Sequence, residues 1–298
     1  MIPIARSDIS SRPALRGALT ALITPFTPDG DVDEAAFRRL VRWQVLAGID
    51  GLVPCGTTGE APTLSDEEHL RLVEFAAAER PPGTTVIAGT GSNDTAHAVQ
   101  MTERATELGV DATLSVTPYY NRPNRRGIKA HYETIAKATD KPIVLYNIPG
   151  RTATNMPPDL LAELAQIDNV TGVKQANGDE LAPIDGLEVY AGDDANFART
   201  LDFGGAGGIL VASHVVGDEM RRMVDEPEHR AEIDASLRDV YETLFMTSSP
   251  TCTKAALTML GLIPGEYLRL PMVPADDAER DAVRSMLERH GLLETAAR

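Results

Sequence analysis

Hydrophobic positions along this chain fall into two alternating patterns. Short apolar, β-branched runs bounded by Gly, Pro or Asn occur at 17–24, 51–54, 85–89, 112–116, 142–146, 170–174, 188–191 and 208–212, which is how strands buried on both faces read. Between them lie longer segments with apolar residues three and four apart, the signature of a helix with one buried face. The clearest is 33–47, where Ala36, Phe37, Leu40, Val41, Val45 and Leu46 form a stripe behind an acidic start. Ser65 followed by Glu68 is a capping box opening a helix that lasts to about residue 80. Further helices are predicted over 93–108, 127–139, 157–165 and 196–203. Eight strand–helix units within 17–218 predict a (β/α)8 TIM barrel, an α/β fold that gathers its active site at the strand C-termini.

One unit is short. The segment 175–187, QANGDELAPIDGL, has room for at most about two helical turns. Pro183 and Gly186 oppose even those, so the sixth helix of the ring is predicted to be vestigial. Residues 219–298 read as an appendage packed on the barrel, with helices over 228–245, 251–260 and 276–290. RLPMVP at 269–274 interrupts them, because two prolines block a continuous helix. No linker or low-complexity stretch marks off a second domain. Residues 1–16 read as a leader without the apolar core of a signal peptide.

Composition narrows the function more than the fold. With 28 Lys and Arg against 44 Asp and Glu the net charge is −16. That speaks against a nucleic-acid or anionic-membrane surface, since phosphate binding needs clustered Lys and Arg. An anionic substrate would have to be held by a few local donors. Cys55 and Cys252 make no disulfide framework and fit a reduced compartment. No run approaches membrane-spanning length, and a cytoplasmic protein is expected. The 6 histidines show neither H-x-H nor H-E-x-x-H spacing, so a metal-dependent reaction has little support.

Chemistry-bearing residues sit at the predicted strand ends. Tyr146 closes the fifth run and Lys174 the sixth, so neighbouring strands would deliver a phenol and an amine to one end of the barrel. Desolvation on a buried strand favours a neutral, nucleophilic amine, which makes a Schiff base with a keto substrate. Each residue alone has a blander reading: a lysine snorkelling to solvent, a packed tyrosine, an exposed loop arginine at Arg151, rim packing for Tyr119 and Tyr120, a tight turn at GTTG. Their convergence on one end favours the chemical reading. Gly56-Thr57-Thr58-Gly59 can turn backbone N–H groups and two hydroxyls on a small anion without net charge. Lys174 would form an iminium with a 2-oxo acid whose carboxylate rests on Thr57 and Thr58. Tyr146 would move the protons of imine and enamine formation, and the enamine carbon would attack an aldehyde.

From residue 17 through the C-terminal helices the chain resembles the dihydrodipicolinate synthase and N-acetylneuraminate lyase family of Schiff-base aldolases. The resemblance is carried by GTTGE at 56–60, TPYYNRP at 117–123, YNIPGRT at 146–152, GVK at 172–174 and GDD at 192–194. It implies that Lys174 is the Schiff-base lysine for pyruvate and Tyr146 the centre of a proton relay that includes Thr58. It also implies that Thr57 and Thr58 hold the pyruvate carboxylate and that the Ile209 carbonyl lies near the lysine. Tyr120 is implied to be the relay tyrosine that enters a neighbouring subunit's site, which makes a homo-oligomer part of the mechanism. Arg151 is implied to hold the carboxylate of the aldehyde through a bidentate fork, which suits L-aspartate 4-semialdehyde; the sialic-acid lyases lack this arginine. The implied reaction joins pyruvate and that aldehyde into 4-hydroxy-tetrahydrodipicolinate, in lysine and diaminopimelate biosynthesis, with neither metal nor organic cofactor. Two alternatives stay open: a pyruvate aldolase or dehydratase acting on a sugar-derived or other 2-oxo acid, and a barrel that binds 2-oxo acids without turnover.

Three positions depart from the family pattern. Gln175 stands where many synthases have Glu, removing a carboxylate beside the amine. Ala61 and His97 replace the Ser and Glu usual in lysine-inhibited members, so weak or absent feedback inhibition by lysine is expected. The short segment after Lys174 corresponds to a helix in the weaker subunit contact of tetrameric relatives; a tetramer is implied by the resemblance, with a dimer as the alternative.

Overall fold

The runs read as strands are buried on both sides in the computed structural model, which describes residues 15–293. They form β1 (Gly17–Ala21), β2 (Gly51–Val53), β3 (Thr85–Gly89), β4 (Ala112–Val116), β5 (Ile143–Asn147), β6 (Val170–Gln175), β7 (Glu188–Ala191) and β8 (Gly207–Leu210). All neighbours are parallel, and β8 pairs with β1 to close the predicted barrel. The closing seam depends on glycine. Gly207, at φ +145°, is so near Gly17 that a Cβ would stand 1.9 Å from the Gly17 carbonyl oxygen, so no side chain is tolerated. The barrel interior is filled by Leu19, Ala21, Val53, Ile87, Leu114, Val144, Tyr146, Tyr190 and Ile209.

The ring helices are α1 (Glu34–Leu46), α2 (Asp66–Glu79), α3 (Thr95–Glu107), α4 (Arg125–Ala136), the single turn α5 (Pro149–Thr152), α6 (Pro158–Leu164), α7 (Phe197–Asp202) and α8 (Gly217–Asp225). Two of their starts carry the caps that the sequence marks, α3 and α4 begin two residues later and earlier than expected, and α5 was not anticipated. Asp33 accepts the Ala36 N–H at 2.8 Å, and Ser65 and Glu68 form the predicted capping box. The α1 stripe packs inward except for Leu46, which is 82% exposed. After β6 there is only the 3-10 turn Gly178–Glu180, as Pro183 and Gly186 foretold.

Two expectations change. Helix α8 follows β8, packs on β1 and straddles residue 218. The single helix expected over 228–245 is two, α9 (Arg230–Ser236) and α10 (Arg238–Leu244). Ile233, Leu237, Val240 and Leu244 continue one buried stripe through the break, which is why periodicity does not register it. α11 (Thr251–Met259) and α12 (Asp277–Arg289) complete the appendage. With α8, α9 and α10 they share one core, while Leu257 and Ile263 join the core around β1–β3. The leader expected over 1–16 lies, up to residue 14, outside the described residues. No described helix is long and apolar enough to cross a membrane.

Candidate active site

Parallel pairing sets Tyr146 beside Lys174, and Lys174 beside Tyr190, in one lateral row across β5, β6 and β7. Residues in such a row point to the same face, here the barrel interior. Gly172 makes the row fit, since a Cβ there would stand 2.9 Å from the Tyr190 ring. That ring fills the space below the lysine, with its hydroxyl bonded to the Leu15 carbonyl at 2.5 Å. Lys174 and Tyr146 are each 6% exposed, and the Lys174 Nζ lies 4.4 Å from the centre of the Tyr146 ring. Thr117 fixes the end of β5: its N–H and its hydroxyl both donate to the Tyr146 carbonyl, at 3.0 and 2.9 Å.

The GTTG turn leaves β2 at the same end. It is bracketed by two non-glycine residues in the left-handed region, Cys55 (φ +58°) and Glu60 (φ +55°), each at a cost of about 1–2 kcal/mol. Thr58 is buried and Thr57 half-buried. The turn is pressed against its neighbours, because a Cβ on Gly89 at the end of β3 would meet the Cys55 carbonyl oxygen at 2.3 Å. The Thr24 hydroxyl donates to the Gly59 carbonyl at 2.7 Å. Cys55 is buried, its Sγ donates to the His69 carbonyl at 3.4 Å, and burial pushes the thiol up. An inert cysteine is the reading this supports.

Arg151 is exposed on α5 and makes no ion pair with any described residue. Its charge is felt at Asp193 together with that of Lys174: burial pushes the Asp193 carboxyl up, while Lys174 and Arg151 draw it down. Asp194, the second acid of GDD, is buried and accepts the N–H groups of Val211 and Ala212, both at 3.0 Å. It thereby fixes the chain just beyond Ile209, which is fully buried and pairs with Leu19.

Tyr120 is not brought into this cluster. It is 90% exposed at φ +69°, on a loop held by the Asn121 side chain donating to the Asn93 carbonyl at 2.8 Å. Gln175 also differs from expectation. One residue beyond an inward lysine it points outward, is fully buried, and accepts from Asn147 Nδ2 and the Asn177 N–H, both at 3.0 Å. The carboxylate it replaces in many relatives would therefore stand on the far side of the strand from the amine. Lys254 and its partner Glu60, a fully buried pair, were missed as a unit; the only signal is a lysine inside the apolar helix TCTKAALTM.

No cluster of three or more His, Cys, Asp or Glu among the described residues is arranged to hold a metal. The open clefts around Glu266 and Arg280 and around Lys137 and Asn169 lie on the outer helices, away from the strand ends.

The model of the Dihydrodipicolinate synthetase family matches residues 14–290. The chain belongs to this family. Among curated members, 4-hydroxy-tetrahydrodipicolinate synthase of Syntrophobacter fumaroxidans is 41% identical over 290 residues, covering 93% of this chain and 99% of that one. The chloride-inhibited dihydrodipicolinate synthase of Acinetobacter baumannii, solved with pyruvate, is 34% identical at a TM-score of 0.90, covering 94% of this chain and all of that one. A solved structure described as the first monomeric dihydrodipicolinate synthase variant is 35% identical at a TM-score of 0.87, covering 94% and 98%. Membership spans barrel and appendage alike, so the α9–α12 helices are part of the dihydrodipicolinate synthetase fold and not an addition to it.

Proposed function

We infer that the reaction of this family runs, in this chain, through an iminium on Lys174. The chain is a lyase that condenses pyruvate with L-aspartate 4-semialdehyde to 4-hydroxy-tetrahydrodipicolinate, on the way to lysine and diaminopimelate. The observation that carries the inference is the buried amine of Lys174 over the Tyr146 ring, its pairing partner at the end of the adjacent strand. The amine adds to C2 of pyruvate and water leaves, forming the iminium. Loss of a C3 proton gives the enamine, whose carbon attacks the aldehyde. The substrate's own amine then adds to the iminium carbon, closes a six-membered ring and releases Lys174.

Tyr146 and Thr58 move the protons of these steps, and Thr57 and Thr58 seat the pyruvate carboxylate on the turn after β2. Arg151, exposed and unpaired among the described residues, takes the carboxylate of the aldehyde. Tyr120 completes the relay from a second copy of the chain, which fits its exposure. The assembly is a homo-oligomer on this reading, a tetramer or, given the short segment after Lys174, a dimer. The protein works in the cytoplasm.

Arg151→Ala separates the two substrates. The variant should still give a borohydride-reduced pyruvate adduct, with kcat/KM for the aldehyde lowered about a hundredfold, the scale of a lost charge-assisted bidentate contact. Equal loss for both substrates would show that Arg151 holds the fold instead.

A further inference from the structure

Lys254, on α11, is a second buried lysine, and its surroundings are closed. It has no exposed surface; its Nζ stands 2.6 Å from Glu60 Oε1, 2.7 Å from the Tyr267 carbonyl and 4.3 Å from the centre of the Phe26 ring. Glu60 is 3% exposed, and its other oxygen accepts the Arg269 N–H at 3.1 Å. No substrate reaches this amine, so its function is not that of Lys174. A buried ion pair is weak as a source of stability, because desolvation offsets the attraction, and strong as a specification of geometry when its geometry is fully satisfied. Burial draws the Lys254 ammonium down to about 8 while Glu60 holds it up.

What the pair joins gives it a role. Glu60 is the last residue of GTTGE, in a left-handed conformation that a side chain resists, and Cys55 at the other end of the turn has the same strain. Such conformations persist where the surroundings over-determine them. The contacts that hold this turn include Thr24 to Gly59, the Gly59 N–H to the Gly56 carbonyl at 3.1 Å, the Glu60 N–H to the Thr57 carbonyl at 3.0 Å, Arg269 to Glu60, and Lys254 to Glu60. The last two, which hold the Glu60 side chain, come from the C-terminal appendage.

We propose that Lys254 and Glu60 are positioning residues, a buried ion pair through which helix α11 holds the turn after β2 in the shape that receives the carboxylate of the 2-oxo acid. The proposal rests on the assignment of Thr57 and Thr58 as the carboxylate seat. It makes the appendage part of substrate binding, and it places the pair's main effect on the first half of the reaction, since the aldehyde is held elsewhere by Arg151 and only the relay role of Thr58 carries a disturbance of the turn into the second half.

The test is the double variant E60Q/K254M, which removes both charges and leaves neither partner buried alone. In the folded variant kcat/KM for pyruvate should fall about tenfold, while kcat/KM for L-aspartate 4-semialdehyde, touched only through Thr58, falls by no more than about threefold. Unchanged pyruvate kinetics, or an equal loss for both substrates, would overturn the proposal. Should the double variant fail to fold, Glu60→Gln alone decides by the same ratio, because a buried lysine can shed its proton. Thr57→Val is measured alongside. If it leaves kcat/KM for pyruvate unchanged, the carboxylate seat itself is misassigned; if it lowers that constant and the pair's variants do not, the positioning role alone is refuted.

Discussion

Val211, two residues past Ile209, is held by two titrating side chains of opposite tendency. Asp194 Oδ1 accepts its N–H, and burial pushes that carboxyl up to about 6. His214 accepts the Ile23 N–H at 3.2 Å through Nε2, so its Nδ1 carries the proton donated to the Val211 carbonyl at 2.8 Å, and burial pulls the ring down to about 4. The histidine, depressed below its usual 6.5, supports the fold above that pH and loses its contribution as pH falls towards 4. The aspartate, raised above 3.8, supports the fold below that pH and loses its contribution as pH rises through about 6. Each is worth about 3 kcal/mol, and in the parent the two oppose each other. His214→Gln should therefore gain stability relative to the parent as pH drops from 6 to 4, and Asp194→Asn should lose it, read from urea midpoints. Parallel pH profiles for the three proteins would contradict this. Neither side chain could be assigned so from sequence, because the N–H groups they hold lie 17 and 191 residues away along the chain.

Among the elements, the strands were legible because burial on both faces leaves an unbroken apolar run, and the helix starts because capping is local. Lys174 and Tyr146 were legible for the same reason: each closes such a run. What was hidden is what alternation or distance decides. Gln175 follows Lys174 directly, yet the strand's period of two turns it to the outer face, among Asn147 and Asn177. Gln175→Glu should accordingly leave kcat/KM for both substrates unchanged; a loss confined to pyruvate would mean that a charge there is felt by the amine across the strand. The Lys254–Glu60 pair was hidden by distance, its partners standing 194 residues apart. The break at Leu237 was hidden by a stripe that runs on through it.

For the molecule as a whole, one chain gathers Lys174, Tyr146, Thr57, Thr58 and Arg151 at the strand ends and leaves Tyr120 in solvent. If Tyr120 serves a second copy, a Tyr120→Phe chain and a Lys174→Ala chain, each inactive alone, should regain activity when unfolded together and refolded as a mixture. The Lys174→Ala chain would then supply the tyrosine to the intact lysine of its partner. No recovery in verified hybrids would place Tyr120 outside the relay or within its own chain's site.

Lys174 as the amine that carries pyruvate is tested most directly by borohydride reduction in the presence of pyruvate followed by peptide mass analysis. One reduced pyruvyl group should appear, on the peptide bearing Lys174, with none on the enclosed Lys254. An adduct on another lysine, or none at all in an enzyme that turns over, would contradict it.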